Sequence, residues 1–192
     1  TTDQIAVLSA TGLAALSSDE VQGWSTTQLG AITSQQIAGL STTVIANFSD
    51  TQLGALTSTQ MRGLTTTQLN TLGTTQLNAL DVANLSATQV RGMTSTAVDA
   101  LSTTQAQALS AAQIGVLSAG ALEALSSDEV QGWSTTQLAA VTSQQLAGLS
   151  TTAIADFSDT QLTGLTTTQL RGLTTGQLNT LCLLYTSPSP RD

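Results

Sequence analysis

The chain contains no lysine, no histidine and a single cysteine, and both of its prolines fall within the last five residues. Aromatic residues make up 3% and charged residues 8% of its 192 residues, against 40% hydrophobic. Each shortage removes a class of function. Four arginines against twelve acidic residues leave a net charge of −8, so the basic footprint that nucleic acid demands is missing. The same balance gives nothing for an anionic membrane surface to attract. No apolar run approaches the roughly 18 to 20 residues needed to span a bilayer.

Chemistry is equally short of reagents. Nucleophile–base pairs need histidine, lysine or cysteine, and a zinc site needs histidine and cysteine ligands. Neither an EF-hand loop nor a Gly-Asp nonapeptide is present for calcium, and no glycine-rich phosphate motif follows a strand-like run. Asp19-Glu20 and Asp128-Glu129 are the closest approach to a carboxylate pair. They read as first-turn residues that complement a helix dipole. No catalytic, cofactor-binding or metal-ligating residue is assigned, and an enzyme is not expected.

What the chain does have is one octad, repeated. STTQLGAI at residues 25–32 sets the pattern: Ser or Thr, two small polar residues, Gln, a large aliphatic, two small residues, a large apolar residue. Ten octads run through residues 1–80, a five-residue unit DVANL occupies 81–85, and twelve more fill 86–181. Of these 22 octads, 21 open with Ser or Thr, Gly73 being the exception. Position 5 is Leu, Ile, Val or Met in all but one, where Ala106 stands, and position 8 is large and apolar throughout. Position 4 is Gln or Glu in 17 of them. A longer period lies above the octads. Residues 17–72 match residues 126–181 at about four positions in five, with an offset of 109 residues.

Ser/Thr followed three residues later by Gln/Glu is the capping-box signature of a helix start. Ser25 with Gln28 and Ser134 with Gln137 are representative cap pairs, with the serine as N-cap and the glutamine closing the box. Positions 5 and 8 are i and i+3 on a helix and face one way. One continuous helix fails, because eight residues turn 800° and the apolar pair would circle the axis within about five octads. The pattern therefore predicts an all-α, elongated solenoid of very short capped helices, one per octad, with positions 2, 3 and 6 exposed. A β-solenoid is the alternative. It fits the threonines, but it places positions 5 and 8 on opposite faces. The number of octads in one coil does not follow from the pattern.

Residues 1–181 are expected to form a single repeat array. Trp24 and Trp133, at position 8, read as enlarged core residues, with exposed ring edges that offer a contact patch as the sharper alternative. Arg62, Arg91 and Arg171 sit at the outward position 6. The octad S-T-T-Q-L-x-A-L resembles the tandem arrays of large secreted bacterial surface proteins, often labelled haemagglutinin-like or adhesion proteins. That resemblance implies a structural or adhesive segment, a stalk, fibre or surface-layer component, outside the cell or on its surface. A module binding glycan or protein through the repeated outer face is the alternative, and self-association of the array is a further expectation. The haem-utilisation label attached to some such arrays does not carry over, since neither histidine nor cysteine is there to hold iron.

Residues 182–192, CLLYTSPSPRD, share nothing with the octads. Back-translated, the string resembles a transposase adapter used in preparing sequencing libraries, so it is expected to be a non-native, disordered tail. The array begins in mid-pattern without an initiator methionine, as a fragment would.

Overall fold

The computed structural model describes residues 1–186. Among the described residues, twenty-two α-helices and one 3₁₀ turn follow one another, and there is no strand. Helices from Thr2–Ala6 to Thr167–Gly172 are four to six residues long. Each spans positions 2 to 5, 6 or 7 of its octad, and the position-1 residue before it is the N-cap.

The local cause is visible in the octad at residues 25–32. Ser25 adopts an extended conformation (φ −69°, ψ 159°) and its Oγ accepts from the Gln28 amide, 3.2 Å away. Gln28 Oε1 in turn accepts from the Ser25 amide at 2.9 Å. An extended residue between two helical segments turns the chain and caps the next segment in one step. The same geometry recurs at Ser134 and Gln137, with the two amide bonds at 3.3 and 2.9 Å. No described residue takes a positive φ, so the glycines are not there to make left-handed turns.

Cys182 shows what happens without a cap. It fills the slot where every octad starts with Ser, Thr or Gly, and a thiol is a weak acceptor for an N-cap. The helix does not restart, and Thr175–Thr186 runs unbroken for 12 residues. The sequence predicts disorder from residue 182 onward. Residues 182–186 are instead helical, because nothing stops the preceding helix, and residues 187–192 lie outside the described residues.

Each helix stacks on the helix three units away in the chain. Ala10–Ala14 packs on Ser34–Gly39, which packs on Ser58–Met61; farther on, Ala119–Glu123 packs on Ser143–Gly148, and that on Thr167–Gly172. Three units therefore make one coil, and the coils stack into an elongated all-α solenoid. Positions 5 and 8 from every coil meet in one hydrophobic core running from Ile5 to Leu173.

The five-residue unit is not a gap in this scheme. Its 3₁₀ turn Val82–Asn84 is capped by Asp81, whose Oδ1 accepts from Ala83 N. Val82 and Leu85 are both buried, in the places of positions 5 and 8, and the turn packs against Thr103–Ala108 three units later. It is an octad without its first three residues, and it counts as one side of a coil.

Position 7 is small because coils approach each other there. A Cβ on Gly63 would run into the backbone of Ser34, and one on Gly172 would meet Ser143, in both cases on the coil below.

Candidate functional surfaces

Glutamine at position 4 does more than cap its own helix. From Gln36 to Gln177, every glutamine at this position also donates from Nε2 to at least two carbonyls of the unit four earlier in the chain. One acceptor is always the carbonyl of position 8; the other belongs to position 5 or 6, or their equivalent in the short unit. Gln68 is representative. Its Oε1 accepts from Thr65 N at 2.7 Å, and its Nε2 donates to Ile37 O at 2.9 Å and Leu40 O at 2.8 Å. These carbonyls lie at the end of a short helix, where the intrahelical pattern runs out. One buried side chain thus satisfies the start of its own helix and the end of a helix in the coil below. Repeated, the bonds form a ladder along the solenoid.

Glutamate closes the capping box equally well but has no N–H to donate. Glu20 lies in the first coil, and its carboxylate is held below the ordinary glutamate range by the backbone N–H of Ser17 and then by the Ser17 hydroxyl. Glu129 is buried, with Oε2 accepting from the amide and hydroxyl of Ser126. Both glutamates are capping groups of single helices.

The octads that lack glutamine differ from one another. Ala97 leaves the Thr94 amide without its usual acceptor, and Asn70 Oδ1 from the coil below takes that bond at 3.0 Å. At Ala153 a cavity of about 30 Å³ opens, walled by Leu122, Leu125, Val130, Trp133, Val141 and Phe157, among others. In the first block the matching residue, 109 positions earlier, is Val44, and it is buried in the core.

The two tryptophans do not share a surface. Trp133 is 4% exposed, and its Nε1 donates to Ala106 O at 3.0 Å. Ala106 is the one position 5 without a large side chain, so the small residue and the indole fill one layer of core together. Trp24, in the first coil, is half-buried against the same core. They are also fourteen units apart, which is not a multiple of three, so they fall on different sides of the coil.

The outer face carries shallow polar grooves between coils. One of about 400 Å³ is lined by Ser34, Gln35, Ala38, Thr59, Arg62 and Gly63. Another of about 370 Å³ includes Ser118, Ala119, Thr142 and Gln144. Among the described residues no group of three acidic, histidine or cysteine side chains is placed to hold a metal ion, and no helix is long and apolar enough to cross a membrane.

Glutamine as an inter-coil donor escaped the sequence reading, which assigned it to the capping box alone. The signal was there. Glutamate serves a capping box as well as glutamine, yet glutamate appears at position 4 only at residues 20 and 129, and a need for the amide N–H explains that bias.

The chain is thus a tandem-repeat protein whose repeats close into an all-helical solenoid. The ALTTAQ repeat family matches it over residues 11–42 and again over residues 37–66, and the chain is similar to that family across those stretches. A comparison with curated proteins gives no match.

Proposed function

We propose that the array is a structural spacer: a stiff rod in a large bacterial protein outside the cell or on its surface, holding apart whatever it connects. The observation that carries this reading is the glutamine ladder. Coil is bonded to coil through buried amides, in addition to a core that runs the length of the array. Bending the rod would separate these bonds on one side and expose carbonyls that have lost their partners. The repeated surface, acidic and poor in charge, supports a mechanical role for the whole array over chemistry at one point.

Small-angle X-ray scattering tests the rod. A constant cross-section with a maximum dimension set by the number of coils is expected, and a compact or freely jointed particle would overturn the reading. Location is tested by the gene on either side of the array. A secretion signal or surface anchor is expected there, and fusion to a cytoplasmic enzyme would sink the surface assignment.

The inter-coil grooves favour a second reading, a glycan- or protein-binding module. Hydroxyls, amides and Arg62 line the groove beside Ser34, and such groups recognise sugars by hydrogen bonding. A glycan array separates the two readings, because a pure spacer gives no specific retention, whereas a binding module loses its ligand when Arg62 is changed to Ala.

A further inference from the structure

Arginine occurs three times in the array, at residues 62, 91 and 171, always at position 6 and always followed by glycine. Packing demands the glycine. A Cβ on Gly63, Gly92 or Gly172 would strike the position-2 residue of the coil below, which is Ser34, Thr66 or Ser143 respectively. Each arginine therefore stands where two coils approach closely. All three are exposed, and none of their guanidinium groups meets a carboxylate or other hydrogen-bonding partner among the described residues. In a chain with twelve acidic residues and a net charge of −8, that leaves three cations open to a ligand from outside.

What lies beside the arginine differs. At Arg62 the position-6 residue of the coil below is Ala38, whose short side chain leaves the groove of about 400 Å³ open. Ser34, Gln35 and Thr59 line it, and no carboxylate does. At Arg91 the equivalent residue is Asn70. Its amide bridges the gap between the coils, donating to Gly92 O at 2.8 Å and accepting from Thr94 N at 3.0 Å. At Arg171 it is an alanine again, Ala147. The six residues of the Arg62 groove recur 109 positions on as Ser143, Gln144, Ala147, Thr168, Arg171 and Gly172, every one identical. Ser143–Gly148 stacks on Thr167–Gly172 as Ser34–Gly39 does on Ser58–Met61. The array thus carries one arginine groove twice, and a third arginine whose groove is bridged by an amide.

We infer that the Arg62 and Arg171 grooves each bind a sugar through its carboxylate, so that the array takes acidic saccharides of the uronic-acid class. This rests on the glycan-binding reading and names its ligand. A guanidinium offers two parallel N–H donors that match a carboxylate. The Ser34 and Thr59 hydroxyls and the Gln35 amide both donate and accept, which suits the ring hydroxyls of a sugar. The volume of the Arg62 groove falls in the range of small-ligand sites and has room for a sugar ring. One positive charge per groove, on an acidic chain, favours a single carboxylate over a densely charged polyanion, which the rest of the surface repels.

Nuclear magnetic resonance of the arginine Nε–H groups in the full chain is the test. Methyl glucuronide is the probe, methyl glucoside the same ring without the charge, and acetate the charge without the ring. Glucuronide should shift Arg62 and Arg171 to saturation and leave Arg91 in place. Glucoside and acetate should each bind at least tenfold more weakly. Arg62→Ala should leave the Arg171 response intact. Ala38→Asn keeps Arg62 but gives its groove the bridge that Asn70 builds at Arg91, so binding at Arg62 should fall at least tenfold while the Arg171 response and the helical circular dichroism persist. Equal response from all three arginines, or acetate as effective as glucuronide, means ion pairing without a site and overturns the proposal. Glucoside as effective as glucuronide overturns it and leaves the glycan-binding reading standing. Silence toward both sugars overturns it as well, and retention on the glycan array then decides the glycan-binding reading on its own.

Discussion

Gln68 is 1% exposed, with its amide nitrogen between the carbonyls of Ile37 and Leu40 and its amide oxygen on the Thr65 N–H. Replacing it with Glu keeps the cap and aims a carboxylate at two carbonyl oxygens. A buried charge without compensation costs about 3 to 5 kcal/mol. Gln68→Leu takes the side-chain partner from the Leu40 carbonyl and the Thr65 amide, while Ile37 O still accepts from Leu40 N; it adds no charge, and a loss of about 1 to 3 kcal/mol is expected. Chemical unfolding should therefore rank the native chain above Leu and Leu above Glu at neutral pH. The new carboxyl has its pKa raised in the folded state by burial against carbonyls. The folded chain then binds the proton more tightly, so the deficit of the Glu variant should shrink as pH falls through that raised value. The cavity at Ala153 makes a second prediction at this scale. Val44 fills the matching place in the first block, so Ala153→Val should stabilise by up to about 1.5 kcal/mol, two methyl groups at roughly 0.8 kcal/mol each. Val44→Ala should do the reverse, and thermal unfolding reads both.

At the scale of one element, the octad was legible because its signals are local. N-cap, first-turn Gln and the i, i+3 apolar pair all lie within eight residues, and each acts on its neighbours in the chain. Cys182 shows the same rule from the other side, since without a capping residue the helix continues to Thr186. The small residues of position 7 were less legible, because a turn and a close neighbour predict the same composition. The absence of positive φ among the described residues and the backbone of Ser34 against Gly63 decide for the neighbour. Glycines should accordingly differ by place. Gly63→Ala drives a methyl into that backbone and should cost about 1 to 3 kcal/mol. Gly120 lies inside Ala119–Glu123, and the place its methyl would take has no neighbour within 4 Å. Gly120→Ala should therefore stabilise by up to about 1 kcal/mol. Opposite signs in parallel denaturation curves are the expected outcome.

At the scale of the whole molecule, the number of units per coil was invisible in the sequence. It depends on how far each extended hinge turns the chain and on which amide meets which carbonyl in a neighbouring coil, and the octad period contains neither quantity. The same distance hid the second task of the glutamines and the partnership of Trp133 with Ala106, 27 positions apart. Because each coil contacts only its neighbours, stability should be nearly a sum over coils. Deleting residues 134–157, three octads and thus one full coil, rejoins an equivalent hinge to an equivalent hinge. The shortened chain should remain helical, and its denaturant m-value should fall in proportion to the length removed.

The five-residue unit at 81–85 sets the arithmetic of the long repeat. With it, a block of 109 residues holds thirteen octads and one short side, fourteen sides in all, and fourteen is two more than four complete turns of three. Each block therefore begins two corners on from the block before it, which is one corner short of a fifth turn. A mark that occurs once per block, such as the tryptophan at positions 24 and 133, would point along three compass directions in turn and return to its first bearing after three blocks. A tandem array built this way works as a vernier: its surface is periodic along the axis and evenly distributed around it, with no preferred side.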